Sequence, residues 1–410
     1  MEERGKRMRM IFEKDNTVRS IAFSLLFPVG SIYETKQNTG LTHLVEHLLF
    51  RGIGQPIDLY DFCERRGVYI HAKTGKNFLE ISFFCRKEIL IETVELIHKM
   101  LHCFSYTETD LSTEKKIILA ELSEQEIGND DAIINRLWKN GKFANDILGD
   151  EKSLRGITLS KIIRFKKKML SLDGAIFLFG NFDDEQREYI QALFSQELPP
   201  LQGKSNPSTD SAQKPRKEIK FICDDYDDCD VYYAFPMIFP KEQKQVGLLC
   251  MQMLQSVLFH GDTAYIKEYL REKQGAVYDV FSRLEIIENE AVLLFRIKTQ
   301  RDELCSTVST VERLLREFVF NERFLTYIKA FFCDNLELAY DNFKEYVSLW
   351  IDRYVTFGDS VSPKEQAEIL KAVSLEEYNN VYRKMLKNKC FYCFGNISKS
   401  DEARIRKLLK

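Results

Sequence analysis

GLTHLVEHLLFRG, residues 40–52, is the stretch around which the rest of the chain is organised. It sets His43, Glu46 and His47 at spacings of three and one among Leu41, Leu44, Val45, Leu48 and Leu49. On a helix of 3.6 residues per turn, the two histidines lie one turn apart, about 6 Å along the axis, and point the same way. Two imidazoles so placed can grip one metal ion. Glu46 reaches the same side, where its carboxylate is a candidate general base toward a water. Read alone, the five letters also fit an amphipathic helix with two surface histidines, so the remainder of the chain has to decide.

The 410 residues are enough for two or three domains with sizeable cores. A composition of 44% hydrophobic, 30% charged and 12% aromatic residues is that of a folded globular protein. Fifty-nine basic against 62 acidic residues leave a net charge of -3, which argues against a nucleic-acid surface. No apolar run approaches the ~18–20 residues of a membrane helix. Lys6, Arg7 and Arg9 ahead of the apolar Ser20–Gly30 loosely imitate a secretory signal, but Glu13, Lys14 and Asp15 interrupt it. The ten cysteines have no scaffold rhythm, and the expectation is free thiols in a reducing cytoplasm.

In chain order, RMRMIFEK and SIAFSLLFPVG read as an opening strand pair, followed by the histidine helix and a second helix over 58–66 that stops at Gly67. Residues 68–85 alternate as paired strands. Residues 88–104 and 107–128 are helical, and GAIFLFGN, ending at Asn181, is a closing strand. The proline-rich stretch 196–218 cannot bury a core and reads as a linker between domains 1–195 and 219–410.

The second half repeats the first. Phe27-Pro28 returns as Phe235-Pro236 and CERRG at 63–67 as REKQG at 271–275, both at an offset of 208; the closing strand returns ending at Asn396. This predicts a duplicated α/β (α+β) unit of about 200 residues, each a sheet with helices packed on it. The positions matching His43, Glu46 and His47 are Met251, Leu254 and Gln255, so the second half has no metal site.

A catalytic zinc takes three protein ligands and keeps one position open. The helix EKKIILAELSEQE, 114–126, offers Glu114, Glu121, Glu124 and Glu126; Glu114 and Glu121 are seven apart on one face, with Glu124 a turn further on. H-x-x-E-H followed by this Glu-x6-Glu, and then LREKQGAVYDV at 270–280, resembles the pitrilysin–insulinase–mitochondrial processing peptidase family of zinc proteases. The order of elements, including NDILGDEKSLRGIT at 145–158, follows that family over essentially the whole chain.

The resemblance implies two halves arranged as a clamshell. It implies that His43, His47 and Glu121 hold one Zn²⁺ per chain, with Glu124 as the fallback ligand. Glu46 would be the catalytic base, and Glu114 would orient a ligand or the water. Arg271 and Tyr278 would contact substrate. The family's Asn-Ala-x-Thr run, on the strand that pairs with substrate, stands here as His71-Ala72-Lys73-Thr74, so His71, Ala72 and Thr74 are further substrate-contact candidates. The implied activity is zinc-dependent endopeptidase action on unstructured peptides or leader and presequence segments, in a homodimer or a heterodimer with a related chain. Relatives that are silent partner subunits make a scaffold the alternative, and a peptide-binding chaperone is a third. His98 and His102, also one turn apart but with no acidic residue between them, read as surface histidines; Cys390 and Cys393 repeat an apolar strand rather than a redox motif.

Overall fold

The computed structural model describes residues 8–51, 56–124, 129–138, 143–195, 215, 217–223, 228–274, 277–358 and 362–410, with backbone alone for 56–58, 272–274 and 277–279. Of the proline-rich stretch, only 215, 217 and 218 fall among the described residues. The chain forms two compact units, one of Met1–Gly128, Asn140–Ser211 and Phe343–Ile351, the other of Asn129–Lys139, Ala212–Asn342 and Asp352–Lys410. Each unit thus contains one segment from the opposite half of the sequence.

The first unit is built on five strands, β1 (Met8–Lys14), β2 (Ser20–Phe27), β3 (Tyr69–Thr74), β4 (Leu79–Arg86) and β5 (Gly174–Gly180), in the order β1-β5-β2-β4-β3. The second has β6 (Ile219–Cys223), β7 (Asp228–Ile238), β8 (Val277–Ile287), β9 (Glu290–Gln300) and β10 (Cys390–Gly395), in the order β6-β10-β7-β9-β8. Position for position the orders are the same, which is the duplication stated as topology. The expected opening strand pair is corrected: β1 does not pair with β2, because β5 lies between them, parallel to β1 and antiparallel to β2. The cause is in the sequence of β5. All seven of its residues are buried, so it needs a neighbour on each side, whereas β1 is half-exposed and suits an edge.

Burial on both faces requires two cores. On one face of the first sheet, Ile21, Phe23, Leu25, Ile176 and Leu178 meet the helices of the same half. On the other, Phe179 packs against Tyr346 and Trp350, at centroid distances of 6.3 and 5.6 Å, from the inserted segment of the helix Phe343–Phe357. The second unit uses residues 129–138 in the same manner: Arg136 forks onto Glu218 with two 2.7 Å bonds, and Asp131 pairs with Arg283 at 3.0 Å. Among the described residues, no helix is long and apolar enough to cross a membrane.

Five helices of the first half follow in order: α1 (Leu41–Leu49), α2 (Pro56–Arg66), α3 (Leu90–His102), α4 (Glu108–Glu124) and α5 (Asn129–Leu137). Helix α1 buries Leu41, Leu44, Val45, Leu48 and Leu49 in the first core, so its remaining face must carry His43, Glu46 and His47 outward. Its start is clasped from two sides. Glu34 accepts from the amides of Gly40 and Thr42 and from the Thr42 hydroxyl, all at 2.7 Å, which satisfies orphan donors at the positive end of the helix. Opposite, the Thr39 hydroxyl donates to Asp150 at 2.7 Å, and Asn145 donates to the carbonyls of Ser31 and Glu34. Gly40 stands between the two with φ 83°, and a Cβ there would meet the Leu148 carbonyl oxygen at 2.5 Å.

Gly40→Ala therefore combines a left-handed backbone with a backbone clash, and should destabilise the first unit by about 1–3 kcal/mol in denaturant titration. Gly67, with φ 66° but no atom within 4 Å of where a Cβ would stand, isolates the conformational part. Gly67→Ala should cost about 1 kcal/mol, the low end of the left-handed penalty for an L-residue. Equal losses would show that the clasp does not determine the seat of α1.

Candidate metal centre

Helix α4 carries the carboxylates expected from its sequence, Glu114 buried and Glu121 two turns later and partly exposed. Packed on α1, it brings both to the histidine face. His43 Nε2 lies 3.2 Å from Glu121 Oε2, and His47 Nε2 lies 3.8 Å from Glu121 Oε1. The two imidazoles meet edge to face with centroids 4.7 Å apart. His43, His47 and Glu121 are the one group of three or more potential ligands among the described residues, their donor atoms all within 4.8 Å of one another. Glu124 is exposed and outside that group.

The donor set fits zinc. In a tetrahedral site with metal–donor distances near 2.0–2.2 Å, donor atoms are about 3.3–3.6 Å apart, a spacing that the two Nε2–carboxylate distances bracket. His47 Nδ1 is held by Glu114 Oε2 at 2.9 Å, which turns Nε2 toward the centre; Arg51 Nε holds the other Glu114 oxygen at 2.5 Å. Arg51 was not singled out in the sequence, although it follows His47 by four positions and so shares its face.

Glu46 Oε2 accepts from the Thr74 hydroxyl on β3 and lies 3.5 Å from His43 Nδ1. His43 Nδ1 is itself buried and makes no hydrogen bond among the described residues. Burial alone would push the Glu46 carboxyl up. The close approach of the His43 imidazole, the Thr74 hydrogen bond and the charge of the two imidazoles outweigh it, so Glu46 is held below the usual carboxylate range. Burial likewise opposes ionisation of Glu114, but His47 and Arg51 pull it below that range too. His43 moves the other way: burial would lower it, and the Glu46 and Glu121 carboxylates overcome that and raise it.

The histidine face opens on a cavity of about 400 Å³ whose walls include Glu46, His47, Phe50, Tyr60, Ile70 and Ile117. Phe50 and Tyr60 stack at 6.0 Å, giving that wall an aromatic surface that was not anticipated from sequence. His71 and Ala72 also border the cavity, on β3, which is the edge strand of the sheet. His71 stands on the exposed face of that strand, outside the ligand group.

The second-half candidates lie in the other unit. Arg271 is exposed in a π-turn, Tyr269–Gln274, with Nη1 3.4 Å from Asp262 Oδ1. Tyr278 falls at an irregularity of the edge strand β8, between the paired residues Val277 and Asp279. Its side chain lies outside what the structure describes. His98 and His102 are occupied locally, with His102 Nδ1 bonded to the His98 carbonyl and the His98 ring edge-on to Phe194. Cys390 and Cys393 are buried thiols on β10, in no disulfide among the described residues.

Two tests follow from this geometry. Glu114→Gln should lower zinc affinity by about 10–100-fold in a chelator competition while the fold persists, since the amide grips both His47 and Arg51 less well. The raised His43 value also gives a pH signature. Zinc must displace a proton, so apparent affinity should fall about tenfold per unit as pH drops below that value. In the metal-free protein, the stabilisation from the charged imidazole is fully present below its ordinary value of 6.5 and lost as pH rises through the raised one. Affinity independent of pH over this window would remove His43 from the ligand set.

The profile of the insulinase family (peptidase family M16) matches residues 9–151, and that of the peptidase M16 inactive domain matches residues 156–320. A Bacillus subtilis protein described as "uncharacterized zinc protease YmxG" is 21% identical over 390 residues, 92% of this chain and 93% of its own length. A Helicobacter pylori protein described as "non-peptidase homolog YmxG" is 22% identical over 319 residues, 76% of this chain and 72% of its own. Among solved structures, a protease from Helicobacter pylori shares the fold with a TM-score of 0.81 at 15% identity, over 95% of this chain and 97% of that one. With its two repeated α/β domains and a His-His-Glu cluster drawn from H-x-x-E-H and a following glutamate helix, this chain belongs to the insulinase family, peptidase family M16.

Proposed function

We propose that the chain is a zinc-dependent endopeptidase acting on unstructured peptides, such as leader or presequence segments. The observation that carries this reading is the convergence of His43, His47 and Glu121 beside an ionised Glu46, at a cavity bordered by an edge strand. Zinc held by the three ligands would supply Lewis acidity, polarising a carbonyl and lowering the pKa of water toward about 7. Glu46 takes the proton of the attacking water and passes it to the leaving amine. Its depressed pKa keeps it able to accept near neutral pH, and the Thr74 hydroxyl fixes its orientation. Glu114, braced by Arg51, keeps His47 in the ligating tautomer.

An extended peptide can add to β3 along His71, Ala72 and Thr74, with backbone hydrogen bonds giving affinity without sequence dependence. Specificity then falls to the cavity. Phe50, Tyr60, Ile70 and Ile117 favour an aliphatic or aromatic substrate side chain over a charged one. Arg271 and Tyr278 are proposed as further substrate contacts, by residue match to the family.

A silent homologue is the second reading, and the Helicobacter pylori relative described as a non-peptidase homologue is the observation that favours it. Metal content and turnover, measured on the same preparation, separate the two. The proposed enzyme should hold about one zinc per chain and cleave a flexible peptide. Glu46→Gln should keep the zinc and lose about 10²–10⁴-fold in kcat, because an amide accepts no proton. Arg271→Ala and Tyr278→Phe should keep zinc and lower kcat/KM. A cleavable sequence should be cut as a free peptide and spared inside a tightly folded domain. A zinc-loaded protein without turnover on a broad peptide library would establish the silent reading instead.

A further inference from the structure

Lys166, on the helix Leu159–Leu170 of the first unit, is fully buried, and no carboxylate pairs with it among the described residues. Its Nζ meets three oxygens instead: the Met100 carbonyl at 3.0 Å, the Cys103 carbonyl at 2.6 Å and the Tyr106 hydroxyl at 2.5 Å. Met100 lies in the last turn of α3 and Cys103 just past it, so a neighbouring helix satisfies acceptors that α3 itself leaves orphaned.

The duplication shows that this position needs a donor but not a charge. The helix Leu375–Lys387 repeats Leu159–Leu170 at an offset of 216 and puts Tyr382 where Lys166 stands. The helix Leu304–Glu317 repeats α3. The buried Tyr382 hydroxyl donates to the Leu315 carbonyl at 2.7 Å, third from the end of that helix, as Met100 is third from the end of α3. Both halves keep the bond. Only the first makes it with a group that can carry a proton's charge.

The three partners accommodate either form of that group. As an ammonium, Nζ donates to all three oxygens. As an amine, it donates to the two carbonyls and accepts from the Tyr106 hydroxyl. Neither form leaves a buried polar atom orphaned. Burial pushes the Tyr106 hydroxyl up, so it stays protonated and supplies no counter-charge. Burial without a counter-ion disfavours the ammonium strongly. The rings of Phe104 and Tyr106, each 5.0 Å from Nζ, and the carbonyl end of α3 act weakly the other way, as does the half-buried Cys103. Lys167 adds a like charge beside Phe104, and His102 is turned onto the His98 carbonyl. Helix α1, which also packs on Leu159–Leu170, buries Leu44, Val45 and Leu48 and no charge. Burial prevails and brings the amine down to about 7.

We infer that Lys166 is a buried proton-binding site, switching between amine and ammonium on the same three partners, and that charging it loosens the first unit where α3 meets the helix Leu159–Leu170. The site is separate from the metal cluster, and no step proposed there uses it. Between about 7 and the ordinary lysine value of 10.5, the folded chain binds fewer protons here than the unfolded one. Stability therefore rises with pH through that window, is complete above it, and is lost as pH falls through about 7.

The test compares the full-length wild type with Lys166→Gln, whose amide keeps two donors for the carbonyls and takes no charge. Unfolding of the first unit is titrated with denaturant at several pH values from about 6 to about 10. The ratio of the two folding constants isolates this position, because His43 and the cysteines titrate alike in both proteins. It should be flat below about pH 7 and rise by about tenfold per pH unit above it. Lysines labelled with ¹³C at Cε read the proton directly in the wild type, without any variant. One resonance should titrate near pH 7 and the others near the ordinary lysine value. A folding ratio independent of pH would overturn the proposal, as would a wild-type spectrum in which every lysine keeps its ordinary value.

Discussion

Helix α1 has to satisfy two environments at once, and the first unit is built so that it can. Leu41, Leu44, Val45, Leu48 and Leu49 hold it to the core, and full burial of such side chains contributes at most about 1.5–3 kcal/mol each. That attraction is non-directional and leaves the helix free to slide or rotate slightly. A metal centre tolerates little of either. The directional part comes from the clasp at its start, where Glu34 binds two amides and a hydroxyl and Asp150 holds Thr39. Hydrophobic burial decides which face is inside, and buried hydrogen bonds decide where along its axis the helix stops.

The clasp was the part least legible in the sequence. NDILGDEKSLRGIT could be matched to the family as a run of letters. What Asn145 and Asp150 do depends on a return of the chain across more than 100 residues, which no local pattern encodes. Glu34 similarly reads as one more charged residue in a loop, and only its burial shows its role. By contrast, the histidine helix, the glutamate helix and the duplication were legible because each rests on local periodicity or on self-similarity. The order of strands was legible in neither way. β1 and β2 adjoin in sequence, and only the complete burial of β5 explains why it separates them.

The repeat shows the same support with and without a potential metal-ligand cluster. The helix Lys244–Leu258 of the second unit matches α1 in place, and at the matching positions Met251 and Leu254 are fully buried. Gln255, matching His47, donates to Ser282 on β8 at 3.3 Å. Of the two histidine positions, only that of His43 is core in the second unit; that of His47 carries a half-buried glutamine. The sheet order is unchanged, so strand topology does not depend on the ligand set. The edge strand remains in both sheets as β3 and β8, available for pairing in each.

The electrostatics of the first site form a single balance. Glu46, Glu114 and Glu121 bring three negative charges to a space that Arg51 offsets by one. Depressed values at Glu46 and Glu114 mean that neither takes a proton readily, and the strain falls on His43, whose value rises. A monovalent cation would leave part of this surplus, and a second guanidinium would fill the space the carboxylates leave for substrate. A divalent ion on two imidazoles and one carboxylate removes the surplus while keeping a coordination position open. The same balance bears on the unlike roles proposed for Glu46 and Glu114. Glu114 has both oxygens engaged, one on His47 and one on Arg51, and can only orient. Glu46 has one oxygen bound by Thr74, which leaves the other without a hydrogen bond among the described residues, as the proposed base requires. Hydrogen-bond saturation, more than position in the motif, separates the proposed base from the brace.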